Sequence, residues 1–95
     1  MNSVSITIQA GNTDNKLTQQ EWSKFVRRIS EVLGCYELAR HFFGGPETWA
    51  YYQNACWVCE VAPSRLDELK LALTSVRQLY QQEAICLITG QAEML

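Results

Sequence analysis

Val4, Ile6 and Ile8 alternate with Ser5, Thr7 and Gln9. A spacing of two predicts a strand with one apolar and one polar face. Gly11 to Asn15 has the composition of a loop. The spacing then changes to that of a helix, with Trp22, Phe25, Val26, Ile29 and Leu33 on one side. Thr18 and Glu21 are placed for a capping box at its start, and Leu17 and Trp22 for a hydrophobic staple. Gly34 is the expected C′ residue that ends it. From Cys35 to Phe43 the alternation is imperfect, because Arg40 falls among the apolar positions, but it predicts a second strand. Gly44-Gly45-Pro46-Glu47 predicts a turn, followed by the aromatic segment Trp49, Tyr51 and Tyr52.

Asn54 to Val61 is the most strongly β-forming run, and the other elements can be arranged as layers around it. Ala55, Trp57, Cys59 and Val61 share one wholly apolar face, expected to lie against helices. Cys56, Val58 and Glu60 take the other. Pro63 and Ser64 end this strand. Ser64 and Asp67 form a near capping box for a second helix, with Asp67 and Glu68 suited to its positive N-terminus. Its stripe is Leu66, Leu69, Leu73, Val76 and Tyr80, widened by Leu71, Ala72 and Leu79. Gln81 to Glu83 end the helix, Ala84 to Thr89 predicts a last strand, and Gly90 is expected to break it.

The order β-α-β-β-α-β resembles the ferredoxin-like arrangement, an α+β fold with a four-stranded antiparallel sheet and two helices on one face. Right-handed crossovers then put the first and third strands in the centre. No linker divides the chain, so residues 1–95 read as a single domain. The resemblance lies in element order, and this fold hosts many unrelated functions.

Composition narrows the function classes. The 95 residues are 47% hydrophobic and 19% charged, with a formal net charge of −2, which allows one modest core. The chain lacks the basic excess of a nucleic-acid binder, so none is expected as a partner. Its apolar runs are too short to span a bilayer, and the N-terminal residues do not read as a signal peptide. A soluble cytoplasmic protein with no membrane partner is the expectation. Free thiols are then the default for Cys35, Cys56, Cys59 and Cys86.

Cys56-x-x-Cys59 has the spacing of a redox or metal motif, but residues three apart on a strand face opposite ways. No second such pair completes a zinc site, and His41 stands at no recognised ligand spacing. No metal or other cofactor is therefore expected, and the thiols read as packing residues. Lys24, Arg27 and Arg28 read as a solvated basic face, partly neutralised by Glu21 and Glu31.

Two regions are candidate binding sites. His41, Phe42, Phe43, Trp49, Tyr51 and Tyr52 gather large rings around the Gly-Gly-Pro turn, where they could hold a ligand or a partner. Cys56, Val58, Cys86 and Ile88 fall on the sheet face away from the helices. They form an apolar patch suited to a homodimer or a protein partner. An RNA-recognition motif would need exposed aromatics on the two central strands, where this chain has Ser5, Thr7, Cys56 and Val58. An acylphosphatase-like enzyme would need a phosphate-cradling loop with a nearby arginine. Ala10-Gly11-Asn12-Thr13 departs from that pattern. Dimeric monooxygenase and regulatory domains of this fold have looser signatures. The leading reading is a small non-catalytic binding module. The alternative is a small enzyme or ligand-binding domain with a cleft near the aromatic turn, using His41 or Arg40.

Overall fold

In the computed structural model, residues 3–12, 16–46, 53–91, 93 and 95 are described. The elements run β1 (Val4–Gly11), α1 (Gln19–Tyr36), β2 (Glu37–Gly44), β3 (Asn54–Val61), a 3₁₀ turn (Pro63–Arg65), α2 (Leu66–Leu79) and β4 (Cys86–Gly90). The four strands form one sheet in the order β2-β3-β1-β4, every neighbouring pair antiparallel. This is the ferredoxin-like α+β fold, with β1 and β3 central as the crossover rule requires. Neither helix is long and apolar enough to cross a membrane.

The core is the apolar face of the central strands packed under both helices. Ile6, Ile8 and Ala10 of β1 join Ala55, Trp57, Cys59 and Val61 of β3. Phe25, Ile29 and Leu33 of α1 and Leu69, Leu73 and Val76 of α2 close over them. Trp57 is fully buried, and its indole N–H donates to the Ser30 hydroxyl at 2.8 Å. That bond satisfies a polar group that would otherwise be costly so deep in the core.

Helix α1 begins as its sequence predicts. The Glu21 backbone N–H donates to Thr18 Oγ1 at 3.2 Å, and the Thr18 N–H donates to Glu21 Oε1 at 2.9 Å. Its end differs from the expectation at Gly34. The helix continues two residues further, to Tyr36. The apolar period Ile29, Leu33, Tyr36 carries on past the glycine, and Tyr36 packs against the core. Arg65 then caps the end from outside the helix. It donates to the Cys35 carbonyl at 3.1 Å and lies 4.4 Å from the Tyr36 ring centroid, where a cation suits both the helix terminus and the aromatic face.

Three expectations for the second half are corrected. Ser64 does not cap α2. It lies within the 3₁₀ turn, Arg65 takes the N-cap position, and no side chain caps the helix. Leu71 and Leu79 do not widen the buried stripe, being 71% and 72% exposed, because α2 rests on the sheet only through the side carrying Leu69, Leu73 and Val76. Strand β4 starts at Cys86 rather than Ala84. It includes Gly90, which pairs with Ser5.

The end of α2 is built without a glycine. The Gln82 N–H donates to the Arg77 carbonyl at 3.0 Å, and the Gln81 N–H to the Gln78 carbonyl at 3.1 Å. This is the Schellman pattern, with Gln81 at the left-handed position, φ 54°.

Candidate functional site: the open sheet face

Strand register arranges the uncovered face in rungs. Phe42, Val58, Thr7 and Ile88 stand side by side across all four strands. Gly44, Cys56, Gln9 and Cys86 form the rung on one side of it, and Ala39, Glu60, Ser5 and Gly90 the rung on the other. Phe42 and Ile88, at the two edges of the middle rung, are 51% and 50% exposed. The four residues expected to form an apolar patch, Cys56, Val58, Cys86 and Ile88, thus share one face. Phe42 extends it onto β2, where the aromatic group and the sheet patch meet.

His41 belongs to the polar end of this face. Its Nε2 lies 3.1 Å from Glu60 Oε2, while Ser3 Oγ donates to Glu60 Oε1 at 3.1 Å. The hydrogen bond from His41, then that from Ser3, holds the Glu60 carboxyl below the ordinary carboxylate range. Glu60 is the one acidic residue on the central strands, and both its oxygens are held.

The residues around the turn do not act as one group. Phe42 lies on the open face, whereas the Phe43 ring stands 5.2 Å from Trp57 on the helix side. Trp49, Tyr51 and Tyr52 lie outside the described residues. A cleft of about 300 Å³ opens at this end, lined by Gln9, Phe42, Pro46, Asn54 and Cys56 among others. Gly45 is required here, since a Cβ would strike the carbonyl oxygen of Asn54. His41 is not among the residues lining this cleft: its ring is held by Glu60, which lies four residues along β3 from Cys56, about 13 Å at strand rise. Arg40 is turned to the helix side, with Nε on Glu37 Oε2 at 2.8 Å and Nη2 on the Ser30 carbonyl at 2.9 Å.

The thiols separate as strand geometry demands. Cys59 is buried beneath the helices, and Cys56 lies on the open face. The Cys59 thiol donates to Glu37 Oε2 at 3.4 Å. Burial first, then that carboxylate, pushes its pKa from 9.0 up to about 11. Cys56 and Cys86 share a rung with β1 between them. Two strand spacings put them about 10 Å apart, beyond disulfide reach. Among the described residues no three His, Cys, Asp or Glu side chains gather where they could hold a metal ion.

Asn12 is a polar residue whose role composition did not reveal. Its side chain is buried. Nδ2 donates to the Leu17 carbonyl at 2.9 Å and to Gln53 Oε1 at 2.8 Å, while Oδ1 accepts from the Leu17 N–H at 2.9 Å. It ties the end of β1 to the approach of α1 and the residue before β3. An asparagine in a Gly-Asn loop is the only trace of this in the sequence.

The chain matches no protein-family model and no curated protein. Solved structures do share its fold. A hypothetical protein of Arabidopsis thaliana, determined in solution, superposes with a TM-score of 0.69 at 8% identity, over 100% of this chain and 92% of that one. A dimeric ferredoxin-like protein of unknown function from Thermobifida fusca gives 0.64 at 7% identity, over 95% and 92%. LarC2, the C-terminal domain of a cyclometallase involved in synthesis of the NPN cofactor of lactate racemase, gives 0.50 at 12% identity, over 97% of this chain and 58% of that one. At such identities these likenesses establish the ferredoxin-like fold and nothing finer.

Proposed function

We propose that this protein is a small non-catalytic association module that pairs with a second copy of itself through the open sheet face. The observation that carries the reading is the middle rung, Phe42-Val58-Thr7-Ile88, which sets three apolar side chains and one threonine across a face that neither α1 nor α2 covers. Sheet faces of this kind are buried by stacking on another sheet. A two-fold axis through the face would set the rung against its own copy, so one patch serves both subunits. Two further points support the reading. The core is small for independent stability, and the Thermobifida fusca structure of the same fold is described as dimeric. The competing reading, catalysis at the aromatic turn, gains no support from His41, whose imidazole is engaged by Glu60 and does not line the cleft.

Sedimentation equilibrium tests the proposal. The protein is expected at twice the 10.9 kDa chain mass. Ile88→Lys, which puts a charge in the middle rung, is expected to reduce it to a monomer. Leu71→Lys, the same kind of change on the exposed side of α2, is expected to leave the dimer intact. A wild-type monomer up to about 100 µM would overturn the reading.

A further inference from the structure

On the helix side of the sheet, α2 and β4 enclose a cleft of about 260 Å³ lined by Lys70, Leu73, Thr74, Arg77, Ile85 and Leu87. Its floor is apolar: Leu73 is buried in the core, and Ile85 and Leu87 are half-buried against it. Its wall carries two cations, since Lys70, Thr74 and Arg77 recur at helical spacing along one side of α2. Among the described residues no carboxylate lines this cleft, and neither Lys70 nor Arg77 forms an ion pair. Four other cations are paired: Lys16 with Glu83, Arg28 with Glu31, Arg40 with Glu37 and Arg65 with Glu68. Lys24 and Arg27 of α1 stand outside these pairs too, but they share a polar surface with Glu31, whereas Lys70 and Arg77 line an apolar floor with no carboxylate beside it.

From this arrangement we propose that the α2–β4 cleft binds a small monocarboxylate with an apolar body. The carboxylate would sit between the Lys70 ammonium and the Arg77 guanidinium, and the hydrocarbon would lie on Leu73, Ile85 and Leu87. Arg77 commits one nitrogen, donating from Nη1 to the Gln82 carbonyl at 3.0 Å. That bond fixes the guanidinium while leaving further N–H groups to donate. The Thr74 hydroxyl donates to the Lys70 carbonyl at 2.8 Å, so its oxygen faces a ligand as an acceptor only and offers the carboxylate nothing. The volume selects a small ligand. It lies just below the roughly 300–1,000 Å³ of sites that enclose drug-sized molecules, which suits a ligand smaller than a nucleotide. This site is separate from the sheet face and does not depend on dimerisation.

The test is an NMR titration of the full chain with octanoate, with octanol as the matched neutral probe. Saturable shifts are expected for Leu73, Ile85 and Leu87, with a Kd of about 1 mM or tighter. Octanol should bind roughly tenfold more weakly, and Lys70→Glu should weaken octanoate by a similar factor. Lys70→Arg, which keeps the charge, should retain binding. Lys70 is exposed, so both variants are expected to fold, and their amide spectra verify this directly. Equal affinity for octanol and octanoate would overturn the proposal, because the cations would then play no part. So would shifts centred on Val58 and Ile88, which would place the probe on the sheet face, or no saturable shift up to about 10 mM.

Discussion

Cys59 holds its proton because its thiol is buried and its hydrogen bond points at a carboxylate. The thiolate is the nucleophile, so in the native protein at neutral pH an alkylating reagent is expected to modify the exposed Cys35 and to leave Cys59 intact until unfolding. Peptide mass mapping after iodoacetamide treatment measures this, and rapid native labelling of Cys59 would contradict it. The same shift has a pH signature. Below pH 9.0 both folded and unfolded chains keep the proton, and the contribution to stability is complete. Between 9.0 and about 11 the unfolded chain loses it first, so stability falls as the pH rises. Ser30 is the matching case for a hydroxyl. Ser30→Ala leaves the Trp57 indole N–H buried and unpaired, and denaturant unfolding is expected to show a loss of about 1–3 kcal/mol. The opposed faces of Cys56 and Cys59 were legible in the sequence, because a period of two leaves no other outcome. The partners of Trp57 and Asn12 were not. They come from residues tens of positions away or from the fold of a loop, and local pattern carries neither.

The elements themselves were legible wherever one period ran uninterrupted. β3 matches its expected bounds, Asn54–Val61, and α1 starts at its capping box. The differences at Gly34 and Gly90 share a cause: a local stop signal is overridden by packing or strand pairing. Gly34 is the clearest, since Tyr36 continues the stripe beyond it. A Cβ at Gly34 would meet nothing within 4 Å. Gly34→Ala is therefore expected to raise stability by about 0.5–1 kcal/mol, read from the shift in the denaturant midpoint. Gln81 is the converse, a non-glycine residue in the left-handed position of a Schellman end. Gln81→Gly is expected to stabilise by about 1 kcal/mol in the same measurement. β2 was hard to read for another reason. Its register against β3 slips between Glu37 and Ala39 and again between Arg40 and Phe42. The slips turn Arg40 to the helix side and Phe42 to the open face, so a strict period of two, which sets both on one face, misplaces one of them. They also roughen one sheet edge, whereas β4 at the opposite edge is uncharged and unbulged.

For the whole molecule, element order was enough to give the fold and the central position of β1 and β3. The open face was legible only as a list of residues. Its rung structure depends on the pairing register, which appears once the strands are assembled. Dimerisation through that rung has a thermodynamic consequence beyond mass. If the native state is a dimer and the unfolded state a single chain, Tm rises with protein concentration. Calorimetric scans over a hundredfold range of concentration are expected to show that rise for the wild type and for Leu71→Lys, and none for Ile88→Lys.

The position of β1 also sets the order in which the chain can fold. β1 pairs with β3 some fifty residues later and with β4 some eighty later. The strand that anchors the sheet is made early, and its partners leave the ribosome later. The contacts within β2–β3 and within the helices are the local ones available in the meantime. Closure of long loops must precede the central pairings, so the sheet is completed in a late step. Until β4 docks, β1 exposes an unpaired edge carrying Ile6 and Ile8. That interval is when a nascent chain is most exposed to wrong pairing or to capture by a chaperone.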